Sequence, residues 1–364
     1  MVRGQLYASS KMLGISKPLP VLLRSMATQS SSHSDSYQYL QRSKLPTLYF
    51  QKSLPRLPIP LVDKTCERFL AAVQPITSVD EFKETQQVVE KFRMHEAADL
   101  NALLKIKDEA NKHTSYISEP WFDMYLRDRV PLPLNYNPLL VMKNDSRPQY
   151  QHQTVRAANL IISSLRFWRS LQDGVLEPEV FHLNPKKTDN EKYRRWMRIA
   201  PTIIATYASY AFKAFPLDMS QYERLFGTSR IPEFEKDRLV QTPNSKHIMV
   251  MRRGNIYAVD VLDANGNIEP AKEILARLNA VIKLDESKTA AEVPLGVLTA
   301  DERNEWAAIR QHIVSNSVNN SLLTEHLDKA LFCVCLDTQE DPVYKENNPV
   351  PVLKHLLAGK GTNR

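Results

Sequence analysis

The chain has 364 residues, of which 43% are apolar and 24% are charged. This profile excludes a disordered or collagen-like protein, and the length allows one large domain or two ordinary ones with a sizeable core. The net charge of +7 is moderately basic and suits a phosphate-rich partner, an anionic membrane or a mitochondrial address.

Residues 1–35 have the composition of a mitochondrial presequence. No acidic residue precedes Asp35, and basic residues are spread among apolar and serine-rich stretches, namely Arg3, Lys11, Lys17 and Arg24. A disordered basic tail is the alternative. No stretch of the chain reaches the roughly 18 uninterrupted apolar residues of a spanning helix. We therefore interpret residues 1–35 as a targeting leader and expect no crossing of a membrane as a single helix.

Caps, turn residues and apolar spacing predict the elements that follow. The predicted elements, in chain order, are a capped helix from the Ser78 and Glu81 box to about residue 112, an amphipathic helix over 148–171 that ends at Gly174, a β-hairpin around Arg253-Gly254, a helix over 270–282, a helix over 299–314 capped by Thr299 and Glu302, and a buried strand over 330–336. Helices alternating with a few strands predict the α/β class.

Signals for nucleotide, hydrolytic or metal chemistry are weak. The nine glycines show no dinucleotide or P-loop spacing, and neither a G-x-S-x-G elbow nor a metalloprotease histidine pair is present. The three cysteines are too few for a disulfide framework. Cys333 and Cys335 would share one face of an apolar strand, and buried structural thiols are favoured there over a metal site. No metal site is expected.

Trp121 and Tyr125 stand four residues apart and would share one side of a helical turn. Such a pair could wall a pocket, with the Tyr125 hydroxyl available to bind a carboxylate. The alternative is an aromatic pair in the protein core.

Residues 177–215 differ in composition from the rest of the chain. Basic residues precede an apolar stretch: they are Lys186, Lys187, Lys192, Arg194, Arg195 and Arg198, followed by Ile203, Ile204, Tyr207 and Phe212. A helix that begins at Pro201 would have Ile204 and Tyr207 on one face and Thr206 and Ser209 on the other. This pattern fits a segment lying on an anionic bilayer, or a core helix preceded by a solvated run of charges, and composition alone favours neither.

Several segments resemble the carnitine/choline acyltransferase family. They are LPRLPIP at 54–60, HTSYIS at 113–118, PWFDMYL at 120–126, LEPEVFHLNP at 176–185, PLDMSQY at 216–222 and RLF at 224–226. The second, third and fourth resemble the palmitoyl-specific branch. The resemblance implies an α/β, CoA-dependent acyltransferase-like fold that is helix-rich with a mixed sheet. It implies that residues 36–364 form the amino-terminal portion of such a domain.

The resemblance also implies a function. The resemblance to the palmitoyl-specific branch implies transfer of long-chain fatty acyl groups between carnitine and coenzyme A in mitochondrial fatty acid oxidation, so acyl-CoA and carnitine would be the substrates. No bound cofactor and no nucleic acid partner are expected. Trp121 and Tyr125 match aromatic positions that line the family's carnitine pocket. Residues 177–215 match an insert that associates with the matrix side of the inner mitochondrial membrane, which favours the membrane interpretation of this segment.

The family's catalytic histidine lies in an H-x-x-x-D-G motif shortly after a Gly-Thr-Asn-Arg-Trp segment. The sequence ends with GTNR at 361–364, and the near match at His95 and Asp99 has Leu100 in place of glycine within a helical run. We interpret His95 as a surface residue and assign no catalytic residue. We expect an incomplete domain without transferase activity as it stands, cut from a longer enzyme; the alternative is an inactive membrane-associated or regulatory fragment.

Overall fold

The computed structural model describes residues 35–111, 114–137, 140, 142, 145–338, 348, 350, 351 and 354. The predicted leader lies outside these residues apart from Asp35, and so does the GTNR segment. The chain divides into two compact units. The first unit comprises the described parts of Met1–Gln38, Arg129–Arg166 and Phe226–Arg364, and the second comprises those of Tyr39–Asp128 and Phe167–Leu225.

Helices form most of the regular structure of the described residues. The elements in chain order are α1 (Asp35–Gln38), α2 (Val62–Val73), α3 (Val79–Met94), α4 (Glu96–Ala110), α5 (Ser118–Arg127), α6 (Leu132–Asn135), α7 (Gln153–Gln172), β1 (Val180–His182), α8 (Pro185–Thr188), α9 (Glu191–Ile199), α10 (Ala205–Ala211), β2 (Ala214–Pro216), β3 (Thr228–Ile231), β4 (Arg238–Gln241), β5 (His247–Arg252), β6 (Asn255–Asp260), α11 (Ala271–Glu286), α12 (Arg303–Asn316), α13 (Val318–Asp328) and β7 (Cys333–Cys335). None of these helices combines the length and the apolar content that crossing a lipid bilayer requires.

The capping box predicted at the start of α3 is confirmed. The Ser78 N–H donates to the Glu81 carboxylate at 2.9 Å, and the Ser78 hydroxyl accepts from the Glu81 backbone N–H. The single helix predicted from there to residue 112 is two helices, α3 and α4. The chain breaks at the exposed His95, whose φ of −119° and ψ of −78° depart from the regular α-helical values. His95 is thus a surface residue at a helix junction.

Helix α7 confirms the amphipathic pattern, although a separate 3₁₀ turn occupies Pro148–Tyr150 ahead of it. Ile161 and Leu165 on its apolar face are buried. Gly174 follows the helix with a φ of +64°, a conformation that glycine adopts without the strain a Cβ atom would cause.

The first unit contains a three-stranded mixed sheet in the order β6-β5-β7, as the α/β fold with a mixed sheet implies. Strands β5 and β6 are antiparallel and joined at Arg253-Gly254, so the predicted hairpin is confirmed. Both turn residues have positive φ, 46° and 78°, which is the type I′ geometry that matches strand twist. Strand β7 runs parallel to β5, whose Ile248 and Val250 are fully buried.

Two expectations for the carboxyl-terminal part of the described chain are wrong in detail. Helix α12 is capped by Glu302, whose carboxylate accepts from the backbone of the first turn, while Thr299 lies in the 3₁₀ turn Leu295–Ala300. Cys333 and Cys335 are exposed rather than buried. Their strand lies at the edge of the described sheet, where both side chains stand on the same face and are exposed.

Candidate functional site

Helix α5 of the second unit presents the aromatic pair. The rings of Trp121 and Tyr125 meet edge to face, with centroids 5.4 Å apart, so the prediction that they share one side of a helical turn is confirmed. Trp121 is 54% exposed and Tyr125 is half-buried. A pair buried in a core would not leave the indole accessible, so Trp121 is a surface residue rather than part of the protein core.

One contact lies in the turn before helix α5 and another lies along the helix. The Asn111 side chain accepts a hydrogen bond from the Thr114 N–H at 3.1 Å, which shapes the turn that leads into the helix. The Arg224 guanidinium lies 5.4 Å from the ring centroid of Phe122. This cation–π contact brings a positive charge close to the aromatic helix.

The second candidate site is the insert at 177–215. Strands β1 and β2 pair antiparallel, with Val180 opposite Pro216 and His182 opposite Ala214. The ladder brings the two ends of the segment together, so α8, α9 and α10 form a closed excursion from it. The β1–β2 ladder therefore forms the base from which the insert extends.

The six predicted basic residues of the insert divide into two groups. Four are exposed: Lys186, Lys187, Lys192 and Arg195. Arg194 instead donates to Glu177 and, at 2.7 Å, to Asp189, while Arg198 donates to Glu191 at 2.8 Å. The hydrogen bond from Arg198 lowers the pKa of Glu191. These two arginines hold the insert together, and the other four present positive charge to solvent.

The predicted apolar residues also divide. Ile203, Ile204 and Tyr207 are exposed, with Ile203 at 75%. Phe212 instead packs against a buried cluster, with its ring centroid 5.7 Å from that of Tyr193. Phe212 is thus a structural residue of the insert.

Helix α10 begins at Ala205 rather than at the predicted Pro201. Of the two faces that the sequence distinguished, Thr206 and Ser209 on one are fully buried, and Ile204 and Tyr207 on the other are exposed. The hydroxyls of Thr206 and Ser209 are satisfied inside the protein: Ser209 donates to the Ala214 carbonyl at 2.8 Å. Because these polar groups have internal partners, the helix can turn Tyr207 outward.

Two further exposed residues escaped the sequence analysis. Trp196 and Ile199 lie three apart on α9, and Ile199 is 72% exposed. Tyr193 and Met197, four apart on the same helix, are buried. The sequence signal for the exposed pair was the presence of two apolar stripes on one short helix, since only one of them can face the protein interior. We call the exposed set the amphipathic insert surface; it consists of Lys186, Lys187, Lys192, Arg195, Trp196, Ile199, Ile203, Ile204 and Tyr207.

A cavity of about 400 Å³ lies beside the base of the insert. Its charged lining groups include Glu177, Asp189 and Arg194, and the arginine binds both carboxylates. His182 Nδ1 lies 3.0 Å from the Thr188 hydroxyl oxygen. These groups satisfy one another, and in the described part of the chain no three or more His, Cys, Asp or Glu side chains are grouped to hold a metal ion.

Comparison with known proteins gives a consistent result. Residues 57–364 match the family model described as "Choline/Carnitine o-acyltransferase". A Xenopus tropicalis protein named "Carnitine O-palmitoyltransferase 2, mitochondrial" is 43% identical over 341 residues, which is 94% of this chain and 50% of that protein. The Homo sapiens protein of the same name is 43% identical over 338 residues, covering 92% of this chain and 49% of that protein.

A more distant relative is a Danio rerio protein named "Choline O-acetyltransferase", which is 26% identical over 318 residues, 86% of this chain and 45% of that protein. The chain thus spans about half the length of the curated relatives it matches.

Proposed function

Because this chain belongs to the choline/carnitine O-acyltransferase family, we propose that the gene product containing this sequence transfers long-chain fatty acyl groups between carnitine and coenzyme A in mitochondria. The observation that carries the proposal is the 43% identity, over more than nine-tenths of the chain, to proteins named carnitine O-palmitoyltransferase 2. The likeness to a protein named choline O-acetyltransferase is lower, at 26% identity, which supports using the carnitine O-palmitoyltransferase relatives as the guide to the substrate.

The proposed reaction is direct transfer without an acyl-enzyme. A histidine removes the proton from the carnitine hydroxyl or the CoA thiol, and the resulting nucleophile attacks the acyl carbonyl. Hydrogen-bond donors stabilise the oxyanion. None of the nine histidines in this sequence precedes an Asp-Gly pair at the family's spacing, so we assign the general base to no residue named here.

Trp121 and Tyr125 are proposed to form one wall of the carnitine site. The accessible indole offers an apolar, electron-rich surface, and the Tyr125 hydroxyl can donate to the carnitine carboxylate. The edge-to-face contact between the two rings supports this role, because it limits the rotamers of both side chains before a ligand arrives.

The amphipathic insert surface is proposed to bind the matrix face of the inner mitochondrial membrane peripherally. Its exposed isoleucines and aromatic side chains suit the boundary between headgroups and acyl chains, and the four exposed cations suit an anionic lipid surface. Each cation near such a surface contributes on the order of 1 kcal/mol. Such a position would place the protein where an acyl substrate partitions.

Disrupting the gene that encodes this sequence tests the proposed activity. Mitochondria from the disrupted cells should lose oxygen consumption on palmitoylcarnitine, because the acyl group can no longer return to coenzyme A. Respiration on pyruvate, which needs no carnitine, serves as the control and should not change. Unchanged respiration on palmitoylcarnitine in a verified null line contradicts the proposal.

A further inference from the structure

A segment that is distant in sequence packs against the buried side of the insert. Leu45, Tyr49 and Phe50 are buried in the same apolar cluster as residues of the insert, which are Tyr193, Met197, Ala205 and Ala214. Residues 45–53, which we call the supporting segment, precede the insert by more than a hundred residues. Both belong to the second unit.

Two side chains of the supporting segment bind the insert backbone at specific points. The Tyr49 hydroxyl contacts the carbonyl oxygens of Met197 and Ala200, the latter at 2.5 Å. The Ser53 hydroxyl oxygen accepts from the Thr206 N–H at 3.0 Å and lies 2.8 Å from the Thr206 hydroxyl oxygen. Each contact joins residues about 150 positions apart in the sequence.

These contacts bracket the most exposed apolar part of the insert. Ala200 is the C-cap residue of α9 and Thr206 lies in the first turn of α10, so the loop 201–204 runs between the two anchored points. The loop carries Ile203 and Ile204, and Ile199 lies two positions before its first residue. Three large apolar side chains are thereby presented on a short stretch whose ends are fixed.

The chemistry of the two anchors suits this role. The last carbonyls of a helix have no partner within the helix, and an acceptor that is buried without a donor costs about 1–3 kcal/mol. Tyr49 supplies that donor to the Ala200 carbonyl at the end of α9, whereas the Met197 carbonyl also accepts from the Ala200 N–H. Burial raises the pKa of Tyr49, so its hydroxyl stays protonated and remains a donor.

We infer that Tyr49 and Ser53 are positioning residues for membrane binding: they hold the loop 201–204 in the conformation that inserts into an anionic phospholipid surface. The inference rests on the proposed membrane association and adds the part of the chain that controls it. Without the anchors, the loop could fold back and bury its isoleucines against the protein. It would also lose conformational entropy when it binds the membrane, which weakens binding, whereas the anchored loop has already lost that entropy on folding.

The test compares Tyr49→Phe with Tyr39→Phe in the full chain. Both substitutions remove one hydroxyl from neighbouring parts of the sequence, but the Tyr39 hydroxyl binds Asp173 at 2.5 Å, outside the insert. Binding is measured with vesicles of phosphatidylcholine and phosphatidylglycerol in equal parts. Tyr49→Phe should raise the dissociation constant roughly threefold to tenfold, the effect of one buried hydrogen bond, and Tyr39→Phe should leave it unchanged.

Amide hydrogen exchange without vesicles provides the second readout. Tyr49→Phe and Ser53→Ala should each speed exchange at residues 199–206 and leave the hairpin β5–β6 as protected as in the unaltered chain. Ser53→Ala also serves if Tyr49→Phe does not fold. Vesicle affinity equal to that of the unaltered chain, or equal weakening by Tyr39→Phe, overturns the inference.

The outcomes separate the two proposals. If the unaltered chain does not bind the anionic vesicles, the membrane proposal fails and the inference fails with it. If the unaltered chain binds and Tyr49→Phe and Ser53→Ala bind equally well, membrane association stands and the positioning role is wrong.

Discussion

Asp285 shows how a single buried carboxylate can organise a turn. It accepts hydrogen bonds from Arg253 Nε at 2.6 Å, Asn255 Nδ2 at 3.0 Å and the Tyr257 hydroxyl at 2.8 Å. Burial alone would raise the pKa of Asp285, but the three donors outweigh it and hold the pKa below its usual value. The β5–β6 hairpin is thereby tied to the end of α11.

The Asp285 carboxylate should make the free energy of unfolding depend on pH in the acid range. Its native pKa is lower than its unfolded pKa of about 3.9, so the contribution is fully present above that value and is lost as pH falls through the native pKa. Asp285→Asn should lower the free energy of unfolding at neutral pH by about 1.5–3 kcal/mol. Denaturant titrations at a series of pH values should show this difference shrinking below about pH 4.

Asp301→Asn is the matched control, because Asp301 is exposed and should change stability little at any pH. A difference between the unaltered chain and Asp285→Asn that stays constant from neutral to acid pH contradicts the role assigned to the Asp285 charge.

At the scale of elements, helix α10 buries polar side chains and exposes an apolar one. Thr206 and Ser209 occupy the interior because Ser53 and the Ala214 carbonyl bind them. Helix α10 therefore has room to direct Tyr207 outward, and α9 directs Trp196 and Ile199 outward while burying Tyr193 and Met197. The exposed side chains are thus a consequence of the packing below them.

The four exposed cations of the insert should govern its membrane affinity. Replacing Lys186, Lys187, Lys192 and Arg195 by glutamine removes on the order of 1 kcal/mol each, so binding to anionic vesicles should weaken by roughly two orders of magnitude or more. Vesicle flotation at low ionic strength measures this, and binding of the unaltered chain should weaken as salt is added.

A control of equal charge uses the exposed cations of the preceding helices, Arg68, Lys83, Lys91 and Lys105, each replaced by glutamine. If the control weakens binding as much as the insert variant, only net charge matters and the insert is not the membrane-binding surface.

The elements that the sequence predicted well depend on local chemistry. The Arg253-Gly254 turn, the Ser78 capping box and the stop at Gly174 each require only residues within a few positions, and the structure confirms all three. The orientation of α10 could not be predicted, because it depends on Ser53, 153 residues away from Thr206. Similarly, the sequence did not distinguish Arg194 and Arg198 from the exposed cations, because their ion pairs with Asp189 and Glu191 depend on the folded conformation.

At the scale of the whole molecule, the proposal draws on two features of the described residues: the Trp121–Tyr125 pair on α5 and the amphipathic insert surface. Both lie in the second unit, and Trp121 and the amphipathic insert surface are exposed. The family match covers residues 57–364, and the relatives named for palmitoyl transfer are about twice as long as this chain. We propose above all that Trp121 and Tyr125 form the carnitine-binding wall of a palmitoyl-transferring enzyme.

Steady-state kinetics of the gene product purified from mitochondria test that claim most directly. With palmitoyl-CoA and carnitine as substrates, Trp121→Ala and Tyr125→Phe should each raise the KM for carnitine about tenfold, the loss of one aromatic or hydrogen-bonding contact. The KM for palmitoyl-CoA should stay the same. The absence of palmitoylcarnitine formation by the unaltered gene product from mitochondria, or a carnitine KM that neither substitution changes, would contradict the account.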